Sequence, residues 1–262
     1  MRRHLPLATC CLPLLLITAG LAAQTAGPGE LRTHWEREVL SLAQWAPETT
    51  YDAGSGVVEF TGAEGRRLRA SLSFPATAGA GAALHLGEAA GMGSGDGLAH
   101  MYLPVDAQKP GRALLDAYQA LSVLLSAPGV PAGKVALVGR GEGAALAVAL
   151  AALRPGEVGC MVAVDPRGPA GKTVGWDLGE LTALVRCPTL VLVTREGQAG
   201  PAAAALAGSL AGPVQMAAVA GRPEAVWSAW VAGVLAQEPP PGPVGEDEPE
   251  YEPTLPVDLS RQ

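Results

Sequence analysis

The chain has 262 residues, 48% of them hydrophobic, long enough for one large α/β domain with a core of its own. Its net charge is −7, and residues 238–262 hold seven acids (Glu238, Glu246, Asp247, Glu248, Glu250, Glu252 and Asp258) against Arg261 alone, so the remainder is close to balanced. With no basic stripe to track a phosphate backbone, nucleic acid is excluded as an expected partner.

At the amino terminus Arg2 and Arg3 precede an apolar run reaching about Ala23, with Leu21-Ala22-Ala23 ahead of Gln24. This is the layout of a signal peptide over 1–23. Pro13 and Gly20 interrupt the run and no charged stop-transfer flank follows, so a retained anchor is the weaker alternative. The expectation is a secreted or cell-envelope protein with no membrane attachment after cleavage. Over 24–55 a helical lead-in is expected, because Leu31, Trp35, Val39, Leu42 and Trp45 recur at spacings of three and four.

The main domain is assigned to 56–237. Segments 57–60 and 67–74 alternate like two half-exposed strands, with Gly62 and Gly65 marking the turn. Short apolar runs then alternate with helical segments. A strand at 83–86 is followed by a loop with Gly87, Gly91, Gly93, Gly95 and Gly97 and a strand at 101–105. Next come a helix at 112–125, a strand at 134–138, an alanine-rich helix at 142–153 and a strand at 160–164. Strands at 189–193 and 214–219 alternate with helices near 202–210 and 223–235. Uninterrupted apolar strands alternating with helices predict a mostly parallel sheet of about eight strands, covered on both faces. The proline- and acid-rich tail 238–262 cannot bury enough apolar surface to fold alone and is expected to be disordered. Tyr251, Leu255, Val257 and Leu259 would give it some grip on a protein partner.

The most informative stretch is Gly139-Arg140-Gly141-Glu142-Gly143, where a strand runs through a glycine turn into a helix of small residues. That is the layout of the nucleophile elbow, Gly-x-Ser-x-Gly, whose outer glycines fit a turn too tight for side chains. With Gly139 and Gly143 in the outer places, the nucleophile position is residue 141, which is glycine. Here the sequence resembles the α/β-hydrolase superfamily, most of all its dienelactone-hydrolase-like and secreted-esterase branches, from about residue 57 to 235. Arg67 to Phe74 followed by Pro75 is similar to the family's second strand, and His85-Leu86-Gly87 to the motif after its third. The stretch 126–134 (SAPGVPAGK) is similar to its approach to the elbow, and 187–193 (CPTLVLV) to its seventh strand.

The resemblance implies an α/β-hydrolase fold, and it also shows where the chain departs from the family. The family's acid position falls on Gln198 and its histidine position on Arg222. No histidine follows His100 and no serine lies between Ser126 and Ser209. Nucleophile, base and acid are thus missing together. What remains is a vestigial elbow and oxyanion region of Gly139, Arg140, Gly141, Glu142, Gly143, His85 and Gly87. Leu86 interrupts its His-Gly pair, and the loop after the third strand is reduced. Glu142 and His85 are the substitutes to consider. Glu142 would need a turn shifted by one residue, putting Arg140 where a small residue belongs, and His85 reads more simply as structural. Asp165 lies near the place some members use for their acid, with no histidine to orient. The family's neighbouring sixth and seventh strands would start Cys160 and Cys187 side by side, so a disulfide or close approach is expected.

Three functional readings follow. The first is a catalytically inactive pseudo-hydrolase acting in binding or scaffolding. It would hold a small ligand in the vestigial pocket, where Arg140 and Arg222 could grip a carboxylate, or a protein through the tail; it requires no cofactor or metal. The second is an active carboxylic-ester hydrolase with relocated residues. The third is a dinucleotide-binding protein using Gly139, Gly141, Ala144 and Asp165, although about four strands precede that motif where it normally opens its domain.

Overall fold

The computed structural model describes residues 49–75, 81–87, 97–105, 110–167, 178–194 and 200–237, together with Arg32. The signal peptide, nearly all of the helical lead-in, the centre of the glycine-rich loop, Gln198 and the tail lie outside them.

Strands β1 (Thr50–Asp52), β2 (Val57–Thr61), β3 (Arg67–Ser73), β4 (Ala82–Leu86) and β5 (Ala99–Leu103) come first. After them come α1 (Pro110–Ser126), β6 (Val135–Arg140), α2 (Gly143–Leu153), β7 (Val158–Val164) and α3 (Leu178–Thr182). The described part closes with β8 (Thr189–Thr194), α4 (Gly200–Ser209), β9 (Val214–Val219) and α5 (Pro223–Ala236). The nine strands make one sheet in the order β1-β2-β3-β5-β4-β6-β7-β8-β9. Pairings from β1 to β5 along that order are antiparallel, and all those from β5 to β9 are parallel.

Eight of these strands are the expected ones. The ninth, β1, lies inside the segment assigned to the helical lead-in and corrects that boundary. All three of its residues are exposed, so no apolar alternation marks it. It forms because the chain turns at Gly56, φ +66°, whose N–H donates to the Asp52 carbonyl and whose carbonyl accepts from Leu72.

Burial follows the sequence pattern strand by strand. In β3 the residues alternate exposed and buried, while β4 and β5 are buried throughout, as expected of strands covered on both faces. The larger core joins Leu84, Met101, Leu137, Met161 and Val191 to α1, α2 and α4. The smaller core, on the opposite face, packs Ala136, Val138, Val162 and Leu192 against Trp227, Val231 and Leu235 of α5. Helix α2 (GAALAVALAAL) is buried on every side except at Ala145, and its small side chains let it lie close to the sheet. At the antiparallel end, Asp116 of α1 accepts the Ala63 N–H at 2.7 Å and pairs with Arg66, fastening the β2–β3 turn to α1. Burial pushes the Asp116 carboxyl up, opposed by the Ala63 N–H and the Arg66 charge.

The expected Cys160–Cys187 disulfide is absent: both are free thiols. The register supplies the reason. Met161 pairs with Thr189, so Cys160 stands opposite Pro188, and Cys187 is one residue out of step. Alternation then sends the two side chains to opposite faces. Cys160 lies in the smaller core and Cys187 packs against the larger one.

Candidate active site at the glycine turn after β6

The glycine turn after β6 is built as an elbow, and its three glycines serve different ends. A Cβ on Gly139 would run into the backbone of Gly143 and Ala144, and one on Gly143 would run into the Leu86 carbonyl. These two are glycine because β6, the start of α2 and the end of β4 touch through their backbones. Gly141 is glycine for conformation, with φ +58°, in the left-handed region that L-residues enter at a cost. Space is not its constraint, since a Cβ there would meet only the Arg167 side chain, Nε at 3.6 Å and Cδ at 3.7 Å. The turn is held from β7: the Gly141 N–H donates to the Val164 carbonyl at 2.9 Å, and the Arg167 N–H donates to the Gly141 carbonyl at 3.4 Å.

Arg167 is the residue that the sequence did not reveal. It is exposed, and its stem and Nε border the volume that a side chain on residue 141 would enter. Nothing local signals this, because the contact spans 26 positions and depends on β7 lying beside β6. Glu142 has helical backbone angles at the N-cap of α2 and makes no side-chain capping bond. Arg140 ends β6 half-buried, its carbonyl 3.3 Å from where a Gly87 Cβ would lie. Arg222 is exposed at the N-cap of α5. The Gly87 N–H, expected in the oxyanion region, instead donates to the Leu103 carbonyl at 3.3 Å.

His85 lies within β4, buried, with Nε2 3.0 Å from Nδ1 of His100. Its ring stacks on Tyr102 at 4.1 Å and meets the edge of Trp227 at 5.3 Å. Burial first, and then the His100 charge, pull its pKa down to about 3. A histidine so placed is a weak base at neutral pH and works as a packed polar pair at the start of the smaller core.

Asp165, φ +45°, accepts the Thr194 N–H at 2.8 Å on one oxygen and the Thr194 hydroxyl at 2.6 Å on the other. The carboxylate ties the ends of β7 and β8 together. The dinucleotide reading needs it turned to a ribose, and it is committed elsewhere. Among the described residues no group of three or more His, Cys, Asp or Glu side chains could hold a metal ion, and no helix is long and apolar enough to cross a membrane.

No protein-family model and no curated protein matches the sequence. Solved structures do match. Acetyl xylan esterase 1 from Thermoanaerobacterium sp. is 16% identical with a TM-score of 0.59, over 78% of this chain and 92% of its own. Est1E from Butyrivibrio proteoclasticus is 10% identical with a TM-score of 0.56, over 70% and 98%. Dienelactone hydrolase from Anabaena variabilis is 17% identical with a TM-score of 0.52, over 72% and 97%. The fold is that of the α/β hydrolases, as the elbow, the order of elements and these neighbours agree. Within that class the neighbours fall among its esterases and dienelactone hydrolases.

Proposed function

We propose that this is an exported α/β-hydrolase-fold protein that has given up serine-hydrolase chemistry and acts by binding or scaffolding. The observation that carries the reading is Gly141. It occupies the elbow in the strained backbone conformation, braced by Gly139 and Gly143, yet offers no atom to attack a carbonyl. Removing the nucleophile ends acyl-enzyme chemistry whatever the rest of the site retains. The other supports are His85, held neutral inside the sheet, Arg222 where the family has its histidine, and the engaged Gly87 N–H. Gln198 at the acid position belongs to the same reading. The sheet keeps its stability without catalysis, because apolar packing and not the reaction holds it together.

Acetyl xylan esterase 1 and Est1E, two of the structural neighbours, are named or numbered as esterases, so the test is ester hydrolysis. Short-chain p-nitrophenyl esters are offered to the purified protein beside a heat-inactivated control. A rate at background is expected. Saturable turnover would overturn the reading in favour of relocated catalysis, and Glu142→Gln and His85→Ala would then locate it.

A further inference from the structure

Helix α5 covers the smaller core with one face and leaves the other open. Pro223, Trp227, Val231 and Leu235 are buried, while Ala225, Val226, Ala229, Gly233 and Ala236 stay exposed. Val226 is 40% exposed, unusual for a side chain that is normally inside. One turn further on, Trp230 is half-buried, its ring fixed where Nε1–H donates to Gln215 Oε1 at 2.8 Å. Residues four apart share a helix face, so Val226 and Trp230 form one apolar row. Residues 225–236 carry no charge.

The segment 238–262 starts at the end of that row. Lys134 Nζ donates to the Leu235 carbonyl and, at 2.7 Å, to the Gln237 carbonyl, so the root of the segment is pinned to the domain. Gln237 has φ −71° and ψ 142°, the values of polyproline II. Glu238 precedes Pro239, which disfavours helical angles there. Residues 239–245 (PPPGPVG) are uncharged, and Glu246, Asp247, Glu248, Glu250 and Glu252 follow them.

We infer that residues 239–252 fold back antiparallel along α5, the proline run on the Val226–Trp230 row and the acids at Arg222. Polyproline II docks on aromatic-lined surfaces at low ordering cost. The lengths agree. Seven residues at about 3.1 Å each cover about 22 Å, and the 14 residues of α5 cover about 21 Å. Pro241 then comes level with Trp230, each about 9 Å along its own run, and Glu246 comes level with Arg222. Arg222 is exposed at the N-cap, and its side chain makes no capping bond. The positive end of the helix dipole there favours a carboxylate. Arg222 is the one cation of 222–237 and Glu224, half-buried, the one acid.

Tethering selects this occupant over a separate partner. A short linker holds its segment at millimolar effective concentration, so a contact too weak for a free peptide suffices. A run that cannot bury enough apolar surface alone gains a preformed apolar row. The consequence falls on the elbow. Strands β6 and β9 run parallel within one sheet, so α5 begins at the same pole as Gly141. Folding back carries the acids to that pole, where Arg140 ends β6, and they compete there with an anionic ligand. The contact does not depend on whether the elbow hydrolyses esters.

The test is disulfide capture in the purified full chain at low protein concentration. Val226→Cys with Val244→Cys puts one thiol on the row and the other beside it in the docked segment. Ala205→Cys with Val244→Cys is the control, because Ala205 is exposed on α4, which packs on the opposite face of the sheet; the wild-type chain is treated alongside. Oxidation by glutathione disulfide joins the two cysteines of one chain and releases two glutathione thiols. The 226–244 pair should close about tenfold faster than the control. Arg222→Glu or Trp230→Ala added to it should each slow closure about threefold or more, with far-UV circular dichroism of the Arg222→Glu chain unchanged. A pair that closes no faster than the control, or that neither substitution slows, overturns the inference. Disulfides between chains would overturn it too, by making a second copy the occupant of the face.

Discussion

Placing a serine at position 141 is the sharpest probe of the elbow. The added Cβ meets no backbone, only the flexible Arg167 side chain at 3.6 Å, so the cost is conformational. An L-residue at φ +58° loses about 1–2 kcal/mol relative to glycine. For a domain of this size that lowers the melting temperature by about 2–4 °C per kcal/mol. Gly143→Ala starts from the opposite balance. Alanine is better than glycine in a helix by about 1 kcal/mol, but here its Cβ would overlap the Leu86 carbonyl, and overpacking costs about 1–3 kcal/mol or more. Gly139→Ala meets the same obstacle in the Gly143 backbone. Urea unfolding followed by circular dichroism should therefore rank Gly141→Ser as the mildest of the three. The serine variant should also leave ester hydrolysis at background, because His85 and His100, the histidines among the described residues, are packed against each other inside the sheet. A Gly141→Ser chain that unfolds while Gly143→Ala is tolerated would refute this account of the turn.

The remaining predictions concern the groups around the elbow. His85 has its folded pKa lowered to about 3 from 6.5, so between those values the unfolded chain binds the proton and the folded one does not. Stability should fall as the pH drops below 6.5, by up to about 1.4 kcal/mol per unit, and level off below 3; a His85→Leu variant should lose most of that slope in urea titrations at pH 7, 5 and 4. Asp165→Ala, which removes two bonds to Thr194, should cost about 1–3 kcal/mol, read as a lower urea midpoint with the rate on esters unchanged. Burial raises both thiols, Cys187 to about 12 and Cys160 further, leaving a thiolate fraction at pH 8 on the order of one in ten thousand or less. Ellman's reagent should therefore label neither site until urea is added, and rapid labelling of the native chain, mapped to Cys160 or Cys187, would contradict the packing described.

The sequence made legible whatever is written in local order. The strand segments at 135–138 and 189–192 are apolar runs buried on both faces, and their period and flanks point to parallel strands directly. The elbow was legible for a similar reason, since backbone contact imposes Gly139 and Gly143 and leaves a fixed spacing. Features that depend on which strands are neighbours were hidden. Arg167 beside Gly141, Asp165 on Thr194 and His85 on His100 each join residues brought together by the sheet order. The cysteine pairing failed on a finer point: the strands are adjacent as expected, but a one-residue offset in register separates the thiols by a sheet. Strand β1 escaped notice because three exposed residues carry no hydrophobic period.

Lys134 stands immediately before β6 and donates to the carbonyls of Leu235 and Gln237 at the end of α5. The same strand that carries the elbow at its carboxyl end thus anchors, at its amino end, the point from which residues 238–262 depart. Six strand residues separate the two, about 20 Å. The described chain therefore leaves the domain at the pole opposite Gly141, and a ligand at the elbow would lie about 20 Å from that exit.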